Sequence, residues 1–390
     1  MHAEKTYCIF ETMLFEHINA EETLFFILYG ITGTVPFIAA LYLLLRRGNA
    51  FASDVTPPVR LRRWAASFFA VAALGHVWWY LFYLYSADVH SVSYVATVIL
   101  DCVTLMTTIA GTLLAMLQDR KRPVWPVFAA MIPFVLFAVL HVLYPDAPFM
   151  NIASFYILSL YVLFSVYMVF AVRQYGRWLN DNYADLEDKK VWLFQVVSLF
   201  CLLLMILYTF VDADNYLIFL LHVIELVLFA LLLWRVETLP TLQTLPQSIP
   251  VMEGGGCEEQ VAESSNGGEV FPHLEQMLQM HCVETQLYLQ HDLSLQQLAQ
   301  AIGTNRSYLS LYFAGQGITY NSYINNLRIN HFISRYQEVA ASKQTVIAQK
   351  LAQESGFRSY STFSLAFKQR MGQTVTAWMR EQQSKNSEAR

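Results

Sequence analysis

Seven apolar runs dominate the chain between residues 23 and 234, lying near 23–45, 64–85, 93–117, 125–144, 152–172, 191–210 and 216–234. Each is long enough to cross a hydrocarbon core, which takes about 20 helical residues. Backbone N–H and C=O groups find no water inside lipid, so each run must satisfy them internally as a helix. The expected fold is therefore all-α, and its first part is a seven-transmembrane helical bundle. Pro36 and Pro133 fall inside runs, where local kinks are expected. Gly33, Gly75 and Gly111 allow helices to approach closely.

The connectors between these runs alternate in charge. The connector "RRGNAFASDVTPPVRLRR" (46–63) carries five arginines, no lysine and one acid. After the third run come Arg120, Lys121 and Arg122; after the fifth, Arg173, Arg177, Lys189 and Lys190; after the seventh, Arg235. The N-terminus has Lys5 alone, and the connectors after the second, fourth and sixth runs have no base but carry Asp88, Asp146, Asp212 and Asp214. Positive charge resists translocation, and the split is 13 bases against one. The N-terminus is thus expected outside and the C-terminus in the cytoplasm. Trp64, Trp125, Trp192 and Trp234 stand at the expected cytoplasmic ends, where an amphipathic ring prefers the interface. Residues 1–21 carry Glu4, Glu11, Glu16, Glu21 and Glu22 rather than the basic and apolar regions of a signal peptide, so the first run is expected to stay as an anchor.

Composition divides the chain into three segments. Only 14% of the residues are charged, against about 25% in ordinary soluble domains, and the deficit is uneven. Residues 1–235 have a net charge of −3, residues 236–270 of −6 with no base at all, and residues 271–390 of +4. The expected domains are a sensor bundle (1–235), a flexible acidic linker rich in Pro, Gly and Ser (236–270) and a mildly basic soluble domain (271–390). The five cysteines, Cys8, Cys102, Cys201, Cys257 and Cys282, show no paired spacing.

The last segment repeats itself. "LAQAIGTNRSYLSLYFAGQGIT" (298–319) matches "LAQESGFRSYSTFSLAFKQRMGQT" (351–374), and each copy reads as helix, tight turn, helix. In the first copy Leu295, Leu298 and Ile302 form an apolar stripe, Ala299 permits a close crossing, Gly303 supplies the turn and Asn305 suits an N-cap, with Leu309 and Phe313 facing inward. Leu351, Ala352, Gly356, Ser359, Phe363 and Phe367 take the matching places in the second. The outward face of each second helix offers Arg306, Ser307, Ser310 and Leu311 in one copy, and Arg358, Tyr360, Ser361, Ser364 and Lys368 in the other. Arg and Lys suit guanine edges in a major groove, and Ser suits a base or a phosphate.

Residues 286–380, through "YLQHDLSLQQLAQAIGTNRSYLS", "YINNLRI" and "GFRSYSTFSLAFKQRMG", resemble the AraC-type DNA-binding domain, which pairs two helix-turn-helix units through a linker helix. The resemblance implies that Arg306, Ser307, Ser310, Ser361, Ser364 and Lys368 contact bases or phosphates. Arg328 matches the linker-helix arginine, with a structural role and a DNA role both open. Phe332 stands where the family prefers alanine, Ser355 where it prefers an apolar residue, and "TVTAWMR" lacks the usual proline, so the packing between the units is expected to differ.

Five ionisable residues lie within the apolar runs: His76, Asp101, His141, His222 and Glu225. Such groups are costly in lipid and point to function. With a rise of 1.5 Å per residue, all five fall roughly 4–14 Å below the outer surface. A pocket open to the outside, binding a ligand, proton or metal ion, is one reading, and interhelical hydrogen bonding is the other. No two histidines share a run, which disfavours a metal site, and no cofactor is expected. The leading expectation is a non-enzymatic, membrane-bound bacterial transcriptional regulator in the cytoplasmic membrane. Its partners would be the lipid bilayer, double-stranded promoter DNA, RNA polymerase, a small-molecule or ion signal and a second copy of the chain. The alternatives are a metal-dependent hydrolase built on His76, Asp101, His222 and Glu225, or a transporter, with an appended regulatory domain.

Overall fold

A computed structural model describes residues 20–46, 49–52, 55–85, 91–208, 215–242, 270–342 and 346–388. The expected linker falls mainly on 243–269, outside the described residues, as do Cys8, Cys257, Asp88, Asp212 and Asp214. The described residues form fourteen α-helices and no strand. The chain divides into two compact units, Met1–Arg173 with Val191–Thr244, and Gln174–Lys190 with Leu245–Arg390.

The first unit holds helices α1 (Ala20–Leu45), α2 (Val59–Tyr85), α3 (Val92–Ala115), α4 (Trp125–Leu143), most of α5 (Phe149–Asn182), α6 (Trp192–Tyr208) and α7 (Asn215–Thr238). A helix thus stands at each of the seven apolar runs. Six are long and apolar enough to cross a membrane. The exception is α6, whose 17 residues give a length of roughly 26 Å, and residues 209–214 beyond it are not described. Both α1 and α4 continue through their internal prolines.

Small residues decide where these helices touch. α1 packs on α2 and α7, and α2 packs on α3. Ala65, Ala66, Phe69, Leu113 and Leu232 are fully buried there, while Leu44, Ile132, Phe170 and other large apolar side chains face outward. A methyl group added at Gly111 would overlap the Trp64 indole, so glycine is what lets α2 and α3 close together. Thr104, Thr107, Thr108 and Thr112 donate to the carbonyls four residues back along α3, which keeps their hydroxyls satisfied without water.

At one end of this unit the charged connectors meet. Asn49 Nδ2 donates to the Glu237 carbonyl at 2.6 Å, Tyr42 Oη to the Glu237 carboxylate at 2.9 Å, and Arg62 lies 4.0 Å from that carboxylate. Arg60 donates to the Arg122 carbonyl, and Arg122 pairs with Asp119 at 2.5 Å. Gln118 donates to the Pro240 carbonyl at 2.9 Å. The arginine-rich connector after the first run, the connector after the third and the end of α7 therefore share one face of the bundle.

The second unit contains α8 (Val270–Leu278), α9 (Leu295–Ala301), α10 (Arg306–Gly315), α11 (Tyr320–Ala341), α12 (Ala348–Glu354), α13 (Tyr360–Met371) and α14 (Val375–Glu388), with the last residues of α5 and the segment 183–190. Caps account for its short helices. Ser294 and Gln297 form a capping box at α9, Asn305 accepts from Tyr308 N at α10, and Ser359 accepts from Thr362 N at α13. One apolar core gathers Leu295, Leu298, Ala299, Ile302, Leu309 and Phe313, and a second gathers Leu351, Ala352, Phe357, Phe363 and Phe367. α11 serves both, giving Tyr320 and Ile324 to the first and Ile329, Phe332 and Tyr336 to the second.

The departures from the family pattern are absorbed in the second core. The Phe332 ring lies 4.5 Å from Phe363, 5.8 Å from Phe367 and 6.3 Å from Trp378, an aromatic cluster in place of a small residue. Ser355 is buried, and its hydroxyl is satisfied by the Leu351 carbonyl at 2.7 Å.

Candidate functional site

Each helix-turn-helix unit presents its second helix, α10 or α13, through a glycine turn and a side-chain cap. On α10, Ser307 and Leu311 are exposed, Ser310 is half-buried, and Arg306 Nε donates to Asn182 Oδ1 at 2.8 Å. On and before α13, Arg358 is 48% exposed and pairs with Asp188 at 2.5 Å. Ser361 donates to Glu187 Oε1 at 3.1 Å, Ser364 is half-buried, and Lys368 is exposed in the last turn.

Arg328 is different. It is 1% exposed, and its guanidinium donates to the carbonyls of Tyr288 at 2.8 Å, Gln290 at 2.7 Å and His291 at 3.2 Å. It also stacks over the Phe357 ring at 5.6 Å. One side chain on α11 thereby joins the segment before α9 to the turn before α13. Burial brings its pKa down to about 10, which leaves it charged at neutral pH.

Several residues on this surface were not expected from sequence. Asn182, Glu187 and Asp188 come from the segment after the fifth run, and Ser359 and Thr362 join Ser361 in donating to Glu187. The available signal was charge: "NDNYADLEDKK" (180–190) puts four acids next to two lysines, on a connector expected on the same side as a +4 domain.

In the first unit a cavity of about 710 Å³ is lined by His76, Asp101 and Glu225 among the five ionisable residues, together with Tyr29, Trp79 and Tyr94. Two glycines make room for its polar groups. A methyl group at Gly75 would lie 3.1 Å from Asp101 Oδ1, and one at Gly33 would lie 3.2 Å from His76 Cβ. His76 bonds the Ala72 carbonyl through Nδ1 and Thr32 Oγ1 through Nε2, both at 2.9 Å. His222 packs its ring 6.1 Å from Tyr29 and bonds the Ile218 carbonyl, adjoining the lining. His141 is not brought to the cavity lining. Among the described residues, no group of three or more His, Cys, Asp and Glu is placed to hold a metal ion.

Residues 298–381 match a family model described as a helix-turn-helix domain, of the AraC type. No curated protein and no solved structure matches the chain. With two capped helix-turn-helix units on a shared helix and a family match over both, the chain joins an AraC-type helix-turn-helix domain to an N-terminal region of several apolar helices.

Proposed function

We propose that the protein is a membrane-bound one-component transcriptional regulator. Its AraC-type domain reads promoter DNA in the cytoplasm, and its apolar helices, held in the bacterial inner membrane with the N-terminus outside, receive the signal. The observation that carries this reading is the pair of helix-turn-helix units on α11. The meeting of the arginine-bearing connectors at one end of the bundle supports the orientation. Contact with RNA polymerase and binding as a homodimer belong to the same reading. On α10 and α13, Arg306, Ser307, Ser310, Arg358, Ser361, Ser364 and Lys368 contact bases or phosphates, while Arg328 holds the two units together.

Mapping of DNA crosslinked to the tagged protein in cells gives the operator, and binding to that operator then tests the assigned face. Arg306→Ala and Lys368→Ala are each expected to weaken it by about tenfold, in the range of ~1–3 kcal/mol for a lost base or phosphate contact. Unchanged affinity in both variants refutes the face. Affinity also falls steeply with salt.

The cavity supports a signal of stated chemistry. Asp101 and Glu225 supply carboxyl groups, and Tyr29, Trp79 and Tyr94 supply ring faces; together they suit a small organic cation with an apolar body. Benzyltrimethylammonium is expected to raise the thermal midpoint of the full chain in nanodiscs, and the Asp101→Asn/Glu225→Gln variant to lose that response. An equal response in the variant places the cation elsewhere.

A further inference from the structure

We propose that residues 182–188 act as an intramolecular competitor of DNA, engaging DNA-contacting groups of both helix-turn-helix units until the signal releases them. The inference rests on the DNA-binding reading above and adds how that binding is held off.

The segment is seated in the second unit rather than laid over it. Ala184 is fully buried in the first apolar core, and its N–H donates to the Leu293 carbonyl at 3.2 Å. Asn321 Nδ2 donates to the carbonyls of Tyr183 at 3.1 Å and Ala184 at 2.7 Å. Lys189 is buried and reaches Asp292 at 3.3 Å. These bonds fix where the neighbouring acids fall.

The acids fall on and beside groups assigned to DNA contact. Glu187 accepts from Ser359, from Ser361 at 3.1 Å and from Thr362 at 2.9 Å. Ser359 is the N-cap of the twelve-residue helix α13, so the carboxylate stands at a helix N-terminus, where an anion is stabilised. Asp188 neutralises Arg358 beside it, and Asn182 holds Arg306 on the other reading helix. An anionic oxygen pair that accepts from hydroxyls, rests at a helix N-terminus and faces an arginine has the chemistry of a DNA phosphate contact. One set of donors cannot serve both partners, so docking of the segment and binding of DNA exclude each other. The Ser359 hydroxyl, then those of Thr362 and Ser361 and the Arg358 charge, outweigh partial burial and hold the Glu187 carboxyl below the usual carboxylate range. It is ionised at neutral pH, so release does not depend on its protonation.

The charged contact is one that can yield. The Arg358–Asp188 pair is half-exposed, and such pairs are individually weak and screened by salt. The competing segment is covalently continuous with the fifth and sixth apolar runs, so a rearrangement of the bundle reaches it along the chain.

The test uses the full chain in nanodiscs and a 40-base-pair mixed-sequence duplex, read by fluorescence anisotropy at low salt. Glu187→Ala/Asp188→Ala is expected to bind about tenfold more tightly than the natural sequence. A charge-matched control, Glu258→Ala/Glu259→Ala in the acidic linker, is expected to change affinity less than about twofold. Equal affinity of the natural chain and the first variant, or an equal gain in the control, overturns the competitor while leaving DNA binding intact. Absence of binding in every protein overturns both readings. Hydrogen exchange gives a second measure that needs no substitution: amides of 183–190 are expected to exchange faster when duplex is saturating. Unchanged protection there also overturns the proposal.

Discussion

Gly356→Ala is expected to unfold the second helix-turn-helix unit and to abolish DNA binding by the full chain, whereas Gly303→Ala, at the matching position of the first unit, leaves a folded and binding domain. Both glycines have positive φ, +87° and +72°, a conformation that costs an L-residue about 1–2 kcal/mol. The difference lies in what surrounds them. A methyl group at Gly303 meets open space, but one at Gly356 would lie 2.7 Å from Leu289 Cα and 2.8 Å from the Leu289 carbonyl oxygen. Those are backbone atoms, so no side-chain rotation relieves the overlap, and the total loss is expected to exceed about 3 kcal/mol. Thermal unfolding of the two variants, followed by operator binding, checks the contrast. Equal losses at the two positions would remove the argument that Gly356 is required for the close approach of the two units.

Arg328→Met is expected to be as damaging, and its effect reaches both units. The guanidinium bonds three carbonyls at once, and removing it leaves buried acceptors without donors. A loss of roughly 3 kcal/mol or more is expected, at about 1–3 kcal/mol for each buried acceptor left unsatisfied. Arg328→Lys keeps the charge but presents a single ammonium where a planar fork spans the carbonyls of Tyr288, Gln290 and His291, so it recovers only part of the loss. Folding lowers the pKa of this base, so the unfolded chain binds more protons only above about pH 10. Its contribution to stability is therefore flat below that pH and rises above it. Chemical denaturation at pH 7 of the natural chain and both variants gives the order Arg, then Lys, then Met. A methionine variant as stable as the natural chain would return Arg328 to the list of DNA contacts.

Much of this could be read from the residues because the relevant physics is local. Runs of apolar residues specify helices in lipid, and helices stand at all seven. Asn305, Ser359 and the glycine turns announce helix boundaries by side-chain reach and backbone freedom, and the stripe of Leu295, Leu298 and Ile302 announces its core. What escaped the reading depends on distant parts of the chain meeting. α5 continues ten residues beyond the expected end of its run at 172, to Asn182, because polar residues continue a helix once it has left lipid. Its last residues and the segment 183–190 belong with the C-terminal unit, and no periodicity reports that. Arg328 looks the same in sequence whether it faces DNA or a cage of carbonyls. Among the five intramembrane ionisable residues, shared depth pointed to a common site, but depth alone does not tell which way a side chain turns around its helix. His76, Asp101 and Glu225 line the cavity, while His222 adjoins it and His141 does not reach it.

Because α11 contributes side chains to both apolar cores, the two helix-turn-helix units are spaced by one shared helix. Their separation is set by the rise of that helix, not by a tether that stretches. A promoter presents its two half-sites on one side of the duplex only when their spacing keeps phase with a turn of about 10–10.5 base pairs. Inserting half a turn between them carries the second half-site to the opposite side of the duplex, away from the face that a pair spaced by one helix addresses.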